Sequence, residues 1–162
     1  MEMTYLTQPN KRWTFEQPKL KKWIEEHCRG KTLNLFAGKT KLNVDETRVD
    51  SSAEFIPDYC MDACDFVDAA IRHNFMYDTV ILDPPYSLRK SMEKYRGKYV
   101  SKFRKIKDLL PRIINPRGRV ITLLRDTVGM SKSRGFKKIA VCVVCHNGAY
   151  HDTLVVVEEK VT

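Results

Sequence analysis

The stretch Thr79-Val80-Ile81-Leu82-Asp83, followed at once by Pro84-Pro85-Tyr86, decides how this chain is read. A run that is almost continuously apolar until a final acid is the pattern of a central parallel strand, buried on both faces. Two prolines then fix the backbone and remove two donors, so the carbonyls there are stiffly held and point outward. One carboxylate and at least one rigid carbonyl are thereby presented together at the end of a sheet strand.

The segments around that strand alternate. Pro18 followed by Leu20, Trp23, Ile24 and Cys28 predicts an amphipathic helix, with Pro in its first turn and Gly30 past its end. Thr32 to Phe36 reads as a strand feeding a turn at Gly38, with further short strands at Thr47 to Asp50 and Tyr59 to Met61. Asp65 is placed to cap a helix carrying Phe66, Ala70 and Ile71. Tyr99, Phe103, Ile106, Leu110 and Ile113 fall at helical spacing. Arg119 to Leu124 is a second buried strand, and Lys138 to Cys145 with Asp152 to Glu158 flank His146-Asn147-Gly148 as a hairpin. The expected fold is a doubly wound, mostly parallel α/β sheet with a C-terminal antiparallel hairpin, in one domain over residues 1–162. Ligands of such sheets sit beyond the carboxyl ends of the strands, where Asp50, Asp62 and Asp83 all fall.

Composition excludes other classes. With 43% hydrophobic and 30% charged residues the chain is neither collagen-like nor disordered. The longest apolar run, Ile139 to Cys145, is too short to cross a bilayer, and the start lacks a secretory pattern, so a soluble, cytoplasmic protein is expected. Five irregularly spaced cysteines make a poor disulfide framework, and Cys60 and Cys64 stand alone without a second pair for zinc. All five are read as structural and no metal is expected. The net charge of +9 is uneven: Ser87 to Lys107 holds nine basic residues and one acid, and Arg125 to Lys138 five and one. The remainder of the chain is net acidic. Charge concentrated in two stretches points to a polyanionic partner, with Arg89, Lys90, Lys94, Arg96, Lys98, Lys132 and Arg134 as candidate contacts.

The tetrapeptide suggests a chemistry. An acid beside a rigid carbonyl offers two acceptors to the two donors of an NH2 group, and the Tyr86 ring offers a face for a flat base. Asp83-Pro84-Pro85-Tyr86 resembles the (D/N/S)PP(Y/F) motif of class I S-adenosylmethionine-dependent amino-methyltransferases of nucleic acids, DNA N6-adenine enzymes in particular. Further segments match in order. Asn34-Leu35-Phe36-Ala37-Gly38 is similar to the family's first loop, and Asp50 with Ser51 to its second-strand acid, which binds the cofactor ribose. Met61-Asp62-Ala63 is similar to the element that reads adenine, and Glu16-Gln17-Pro18 to the motif near the methionine moiety.

The resemblance implies a Rossmann-like methyltransferase sheet with S-adenosyl-L-methionine as cofactor. Gln17, Asn34, Phe36, Ala37, Gly38, Asp50, Ser51, Asp62, Ala63 and Asp83 would bind it, and Asp83, Pro84, Pro85 and Tyr86 would be catalytic. Asn34 stands where an acid is usual and Thr40 where a second glycine is, and a short loop, Lys39 to Asp45, replaces the usual helix. No separate target-recognition domain is expected, which leaves that role open to a protein partner. Adenine N6 in DNA is the first target, guanine N2 in ribosomal RNA the alternative, and a catalytically dead nucleic-acid-binding module the rival from another class.

Overall fold

The computed structural model describes all 162 residues apart from the Tyr86 side chain. In chain order the elements are β1 (Glu2–Thr7), α1 (Pro18–His27), β2 (Thr32–Asn34), β3 (Glu46–Asp50), β4 (Tyr59–Cys60), α2 (Ala63–Arg72) and β5 (Tyr77–Leu82). There follow α3 (Tyr86–Lys90), β6 (Met92–Tyr95), β7 (Lys98–Ser101), α4 (Lys102–Leu109), β8 (Ile114–Leu124), β9 (Phe136–Cys145) and β10 (Thr153–Lys160). Eight strands form one sheet in the order β1-β9-β10-β8-β5-β2-β3-β4, while β6 and β7 pair only with each other. Within the large sheet β10 runs antiparallel to β8 and β9, and every other pairing is parallel.

The sheet is buried on both faces, as the TVILD run requires. On one face α2 and α4 set Phe66, Val67, Phe103 and Ile106 against Val80, Leu82 and Val120. On the other, α1 brings Leu20, Trp23 and Ile24 onto Ile81, Ile121 and Val157. Burying each such side chain contributes about 1.5–3 kcal/mol. No helix lies between β2 and β3. The short loop there covers its part of the sheet with Leu42 and Val44, and Glu46 Oε1 accepts the Leu42 N–H at 3.3 Å. The chain winds outward from β2 to β4, returns to β5, and winds the other way to β8. The crevice of a doubly wound sheet opens at that reversal, between the ends of β2 and β5.

Several expectations are corrected. The cap of α2 is Asp62, whose Oδ1 accepts from Cys64 N at 2.9 Å and Asp65 N at 3.2 Å, and Asp65 lies inside the first turn. The helix expected from Tyr99 begins at Lys102, where the Ser101 hydroxyl accepts from Arg104 N at 3.1 Å. Tyr99 belongs instead to a hairpin turning at Arg96-Gly97, both at positive φ, the geometry that matches the twist of two-residue hairpins. Strand β8 starts at Ile114, and the Pro116-Arg117-Gly118 turn is absorbed as an irregularity in its pairing with β5. The hairpin of β9 and β10 has a longer connection, 146–152. Strand β1 has no counterpart in the sequence reading.

Candidate active site

Four successive strand ends supply the crevice. Phe36, Ala37 and Gly38 follow β2, Asp50 and Ser51 end β3, Asp62 and Ala63 follow β4, and Asp83, Pro84 and Pro85 follow β5. Together they line a cleft of about 430 Å³, covered by Arg12, Trp13, Thr14 and Phe15 from the segment before α1.

The turn after β2 is held from beneath. Gly38 takes φ 61°, a conformation open to glycine and strained for most other residues. Its N–H donates to Asp50 Oδ2 at 2.9 Å, and Ser52 N donates to Asp50 Oδ1 at 2.9 Å. Arg48, buried, donates through Nη2 to the Gly38 carbonyl and through Nη1 to Phe55 O at 3.1 Å. The turn is therefore clamped on both its N–H and its C=O. Trp13 lies against it and meets Phe55 edge-on, with ring centroids 5.0 Å apart. Asp62 accepts both capping bonds at Oδ1, so its Oδ2 has no partner among the described residues.

At the β5 end of the cleft Asp83 is half-buried, and Thr14 Oγ1 donates to its Oδ2 at 2.5 Å. Burial pushes the Asp83 carboxyl above the ordinary aspartate range, while the Thr14 bond and the Arg89 charge pull against that rise. Arg89 is turned inward, donating from Nη2 to Leu123 O at 2.9 Å. Burial lowers its guanidinium, with Asp126 and Asp83 opposing the fall.

Phe36, Ala37, Gly38, Asp50, Ser51, Asp62, Ala63, Asp83, Pro84 and Pro85 therefore share one cavity. Two expected cofactor residues do not line it. Asn34 is buried in the sheet, its Nδ2 donating to Glu46 Oε2 at 2.9 Å, and Gln17 lies behind Asp83. Tyr86 opens α3, and the stacking expected of its ring lies outside the described residues. Of the expected nucleic-acid contacts, Lys90, Lys94, Arg96, Lys98 and Lys132 are exposed. Arg89 and Arg134, expected among the same contacts, are only partly exposed and are engaged by groups of the fold itself. Arg134 pairs with Asp108 at 2.8 Å and also donates to Met130 O.

Sequence reasoning missed Arg48, Thr14 and the position of Trp13 over the Gly38 turn. Thr14 lies 69 residues from Asp83 with no local pattern joining them. All five cysteines are free; Cys64 and Cys142 are buried, which pushes their thiols up to about 11, whereas Cys60 is exposed. Among the described residues no group of three or more His, Cys, Asp or Glu is placed to hold a metal ion, and no helix is long and apolar enough to cross a membrane.

Compared with protein-family models and with curated proteins, the sequence matches none. Solved structures do resemble the fold. A protein from Streptococcus mutans assigned as a SAM-dependent methyltransferase superposes with TM-score 0.63 at 16% identity, over 87% of this chain and 48% of its own. TrmN from Thermus thermophilus gives 0.55 at 18%, over 89% and 49%. A protein assigned as a methyltransferase and complexed with S-adenosylhomocysteine gives 0.55 at 16%, over 78% and 44%. The chain thus spans about half the length of these proteins. Its mixed sheet, mostly parallel with one antiparallel hairpin, is a Rossmann-like α/β fold that matches those of these methyltransferase neighbours.

Proposed function

We propose that this chain is an S-adenosylmethionine-dependent methyltransferase acting on an exocyclic amino group of a nucleobase. One observation carries the reading: the cleft under the clamped Gly38 turn runs without a break to Asp83 and Pro84.

The residues of the cleft suit the cofactor. Asp50 and Asp62 offer acceptors to ribose hydroxyls and to an adenine amine, since each carboxylate oxygen keeps a lone pair beyond the backbone bond it accepts. Phe36, Met61, Ala63 and Leu88 supply apolar walls, and Arg12 a cation for a carboxylate. A neighbour of the same fold complexed with S-adenosylhomocysteine supports the choice. When bound, the sulfonium supplies an electrophilic methyl group. This chain supplies alignment: Asp83 and the Pro84 carbonyl accept from the amine, turn its lone pair, and favour the positive charge growing on nitrogen. Thr14 fixes the carboxylate rotamer through Oδ2, leaving Oδ1 to the amine.

Adenine N6 in DNA is the first target and guanine N2 in ribosomal RNA the second, with the base flipped out of its helix. The exposed Lys94, Arg96 and Lys98 of the β6–β7 hairpin meet phosphates, and a protein partner completes target recognition. Transfer of a tritiated methyl group to DNA and to RNA, followed by nucleoside analysis, tests the assignment. Label in N6-methyladenine is expected. Cofactor binding without label in any nucleoside refutes a nucleobase target, and no binding heat for the cofactor leaves the chain a dead methyltransferase fold.

A further inference from the structure

Two cavities of opposite charge meet at Asp83. Among the described residues, the cofactor cleft is lined by three acids, Asp50, Asp62 and Asp83, and two cations, Arg12 and Lys39. Beside it lies a depression of about 330 Å³ that shares Arg12, Thr14, Asp83 and Pro84 with the cleft. Its described lining holds four cations, Lys11, Arg12, Arg89 and Arg125, and one acid, Asp83. S-Adenosylmethionine bears a sulfonium and an ammonium against one carboxylate, so it is a net cation and suits the acidic side. The basic side suits an anion.

The cations reach the depression from three separate segments. Lys11 and Arg12 lie between β1 and α1, Arg89 is in α3, and Arg125 follows β8. Lys11, Arg12 and Arg125 are exposed. Arg89 is half-buried and held to β8 by its bond to Leu123 O at 2.9 Å, and its charge acts on Asp83. It therefore offsets the one negative group that would repel an anion there. Like charges drawn to one concavity repel each other, and a bound phosphate relieves that repulsion.

The concave path continues beyond Arg125. A further depression of about 490 Å³ shares Asn10, Leu124, Arg125 and Thr153 with the first and extends to Tyr150 and His151 in the β9–β10 connection. Tyr150 is 63% exposed, a ring offered to solvent. Cations along a concave path that ends at an exposed ring suit a single strand, with phosphates on the cations and a base on the ring. No residue of the β6–β7 hairpin lines either depression.

We propose that a single strand of nucleic acid runs from Asp83 through these depressions, with its phosphates against Lys11 and Arg125 and one of its bases stacked on Tyr150. The proposal rests on the methyltransferase reading for the role of Asp83 and for the place of the cofactor. It adds to the hairpin a second contact surface, built from segments distant in sequence.

The test uses the full chain saturated with S-adenosylhomocysteine. A labelled single strand of about twelve nucleotides is titrated by fluorescence anisotropy across a salt series. Lys11→Ala and Arg125→Ala should each lower the salt-dependence slope by about 0.7, and together they should weaken binding roughly tenfold or more at low salt. Tyr150→Ala should weaken binding about fivefold with the slope unaltered, because stacking releases no counterion. Lys137→Ala with Lys138→Ala removes the same charge from exposed positions at the start of β9, and should leave the slope as in wild type. S-Adenosylhomocysteine affinity and Tm should stay at wild-type values and report folding. Should Arg125→Ala lower Tm, Lys11→Ala alone decides. An unchanged slope in Lys11→Ala, or an equal fall in the Lys137 and Lys138 variant, overturns the proposal. Wild-type affinity in Tyr150→Ala overturns the path toward the β9–β10 connection.

Two further probes separate the sources of the phosphate. A strand with an uncharged methylphosphonate backbone should bind roughly tenfold more weakly than the natural one. Inorganic pyrophosphate should compete only weakly. Pyrophosphate binding that depends on Lys11 and Arg125, beside strand binding that does not, would assign the depression to a small phosphorylated compound and overturn the strand. A wild type that binds no S-adenosylhomocysteine overturns instead the methyltransferase reading. The strand is then titrated into the protein alone, and the same outcomes decide its path.

Discussion

Asp83 concentrates the chemistry in one side chain held by another. Its carboxyl is raised by burial and restrained by the Thr14 hydroxyl at 2.5 Å. If the ionised form accepts from the amine, transfer increases with pH as Asp83 loses its proton. The acid limb of the rate profile should then lie above the ordinary aspartate value of about 3.9. Thr14→Val removes a hydrogen bond that favours the ionised form, so its limb should move to still higher pH, with much of the rate recovered there. An unmoved limb in that variant would leave Thr14 a purely structural residue. Asp83→Ala should abolish transfer while cofactor affinity stays within a few-fold, because the interaction it removes is made to the amine. Asp83→Asn keeps an acceptor oxygen, so it should retain some activity and lose the limb. Methylation by Asp83→Ala at the wild-type rate would exclude the proposed mechanism.

At the scale of elements, the loop after β2 and the hairpin after α3 carry separable tasks. Asp50 holds the Gly38 turn through two backbone N–H groups and faces the cleft as well. Asp50→Ala should weaken cofactor binding by about 1–3 kcal/mol, as buried donors lose their acceptor. Unchanged affinity in calorimetry would remove Asp50 from the site. The hairpin is fastened to the body by Glu93, which meets Lys105 at 3.2 Å on α4, and by buried Val100. Lys94 pairs across from Tyr99, so a cation and an aromatic side chain share one exposed face. Replacing Lys94, Arg96 and Lys98 with Ala should weaken binding to every duplex DNA. The salt-dependence slope should fall by about 0.9 for each phosphate that is no longer neutralised, with cofactor binding unaltered. An unchanged slope would make this charge a solvated surface and turn attention to the Arg125–Lys138 stretch.

At the scale of the whole molecule, the first strand closes the sheet beyond β9, and one histidine ties it in. His146 is buried, with Nδ1 2.9 Å from Gln8 O and Nε2 2.8 Å from Thr153 Oγ1. It joins the segment after β1 to the start of β10, beneath the β9–β10 connection. His146→Ala should destabilise the chain by about 1–3 kcal/mol, seen as a fall in Tm of roughly 2–4 °C per kcal/mol for a chain of this size. S-Adenosylhomocysteine affinity should be retained, because His146 does not line the cofactor cleft. An unaltered Tm would show that β1 is held by its strand pairing alone.

Local pattern by itself determined the doubly wound sheet, its buried strands at 79–83 and 119–124, and the acids of the cleft. Those acids were legible because a buried parallel strand must be apolar until it leaves the sheet, and the first polar residue then marks the ligand-bearing edge. What no local pattern encodes is the partnership of distant groups. Strand β1 is a short, largely exposed run that becomes a strand only because β9 offers it an unpaired edge. Thr14 reaches Asp83, and Arg48 clamps Gly38. Arg89 and Arg134, two members of basic runs, are drawn inward by Leu123 O and by Asp108. Each of these is decided by which burial-driven packing brings two segments together. A buried polar group must find a partner wherever the fold has put one, and its own sequence neighbours do not say where that is.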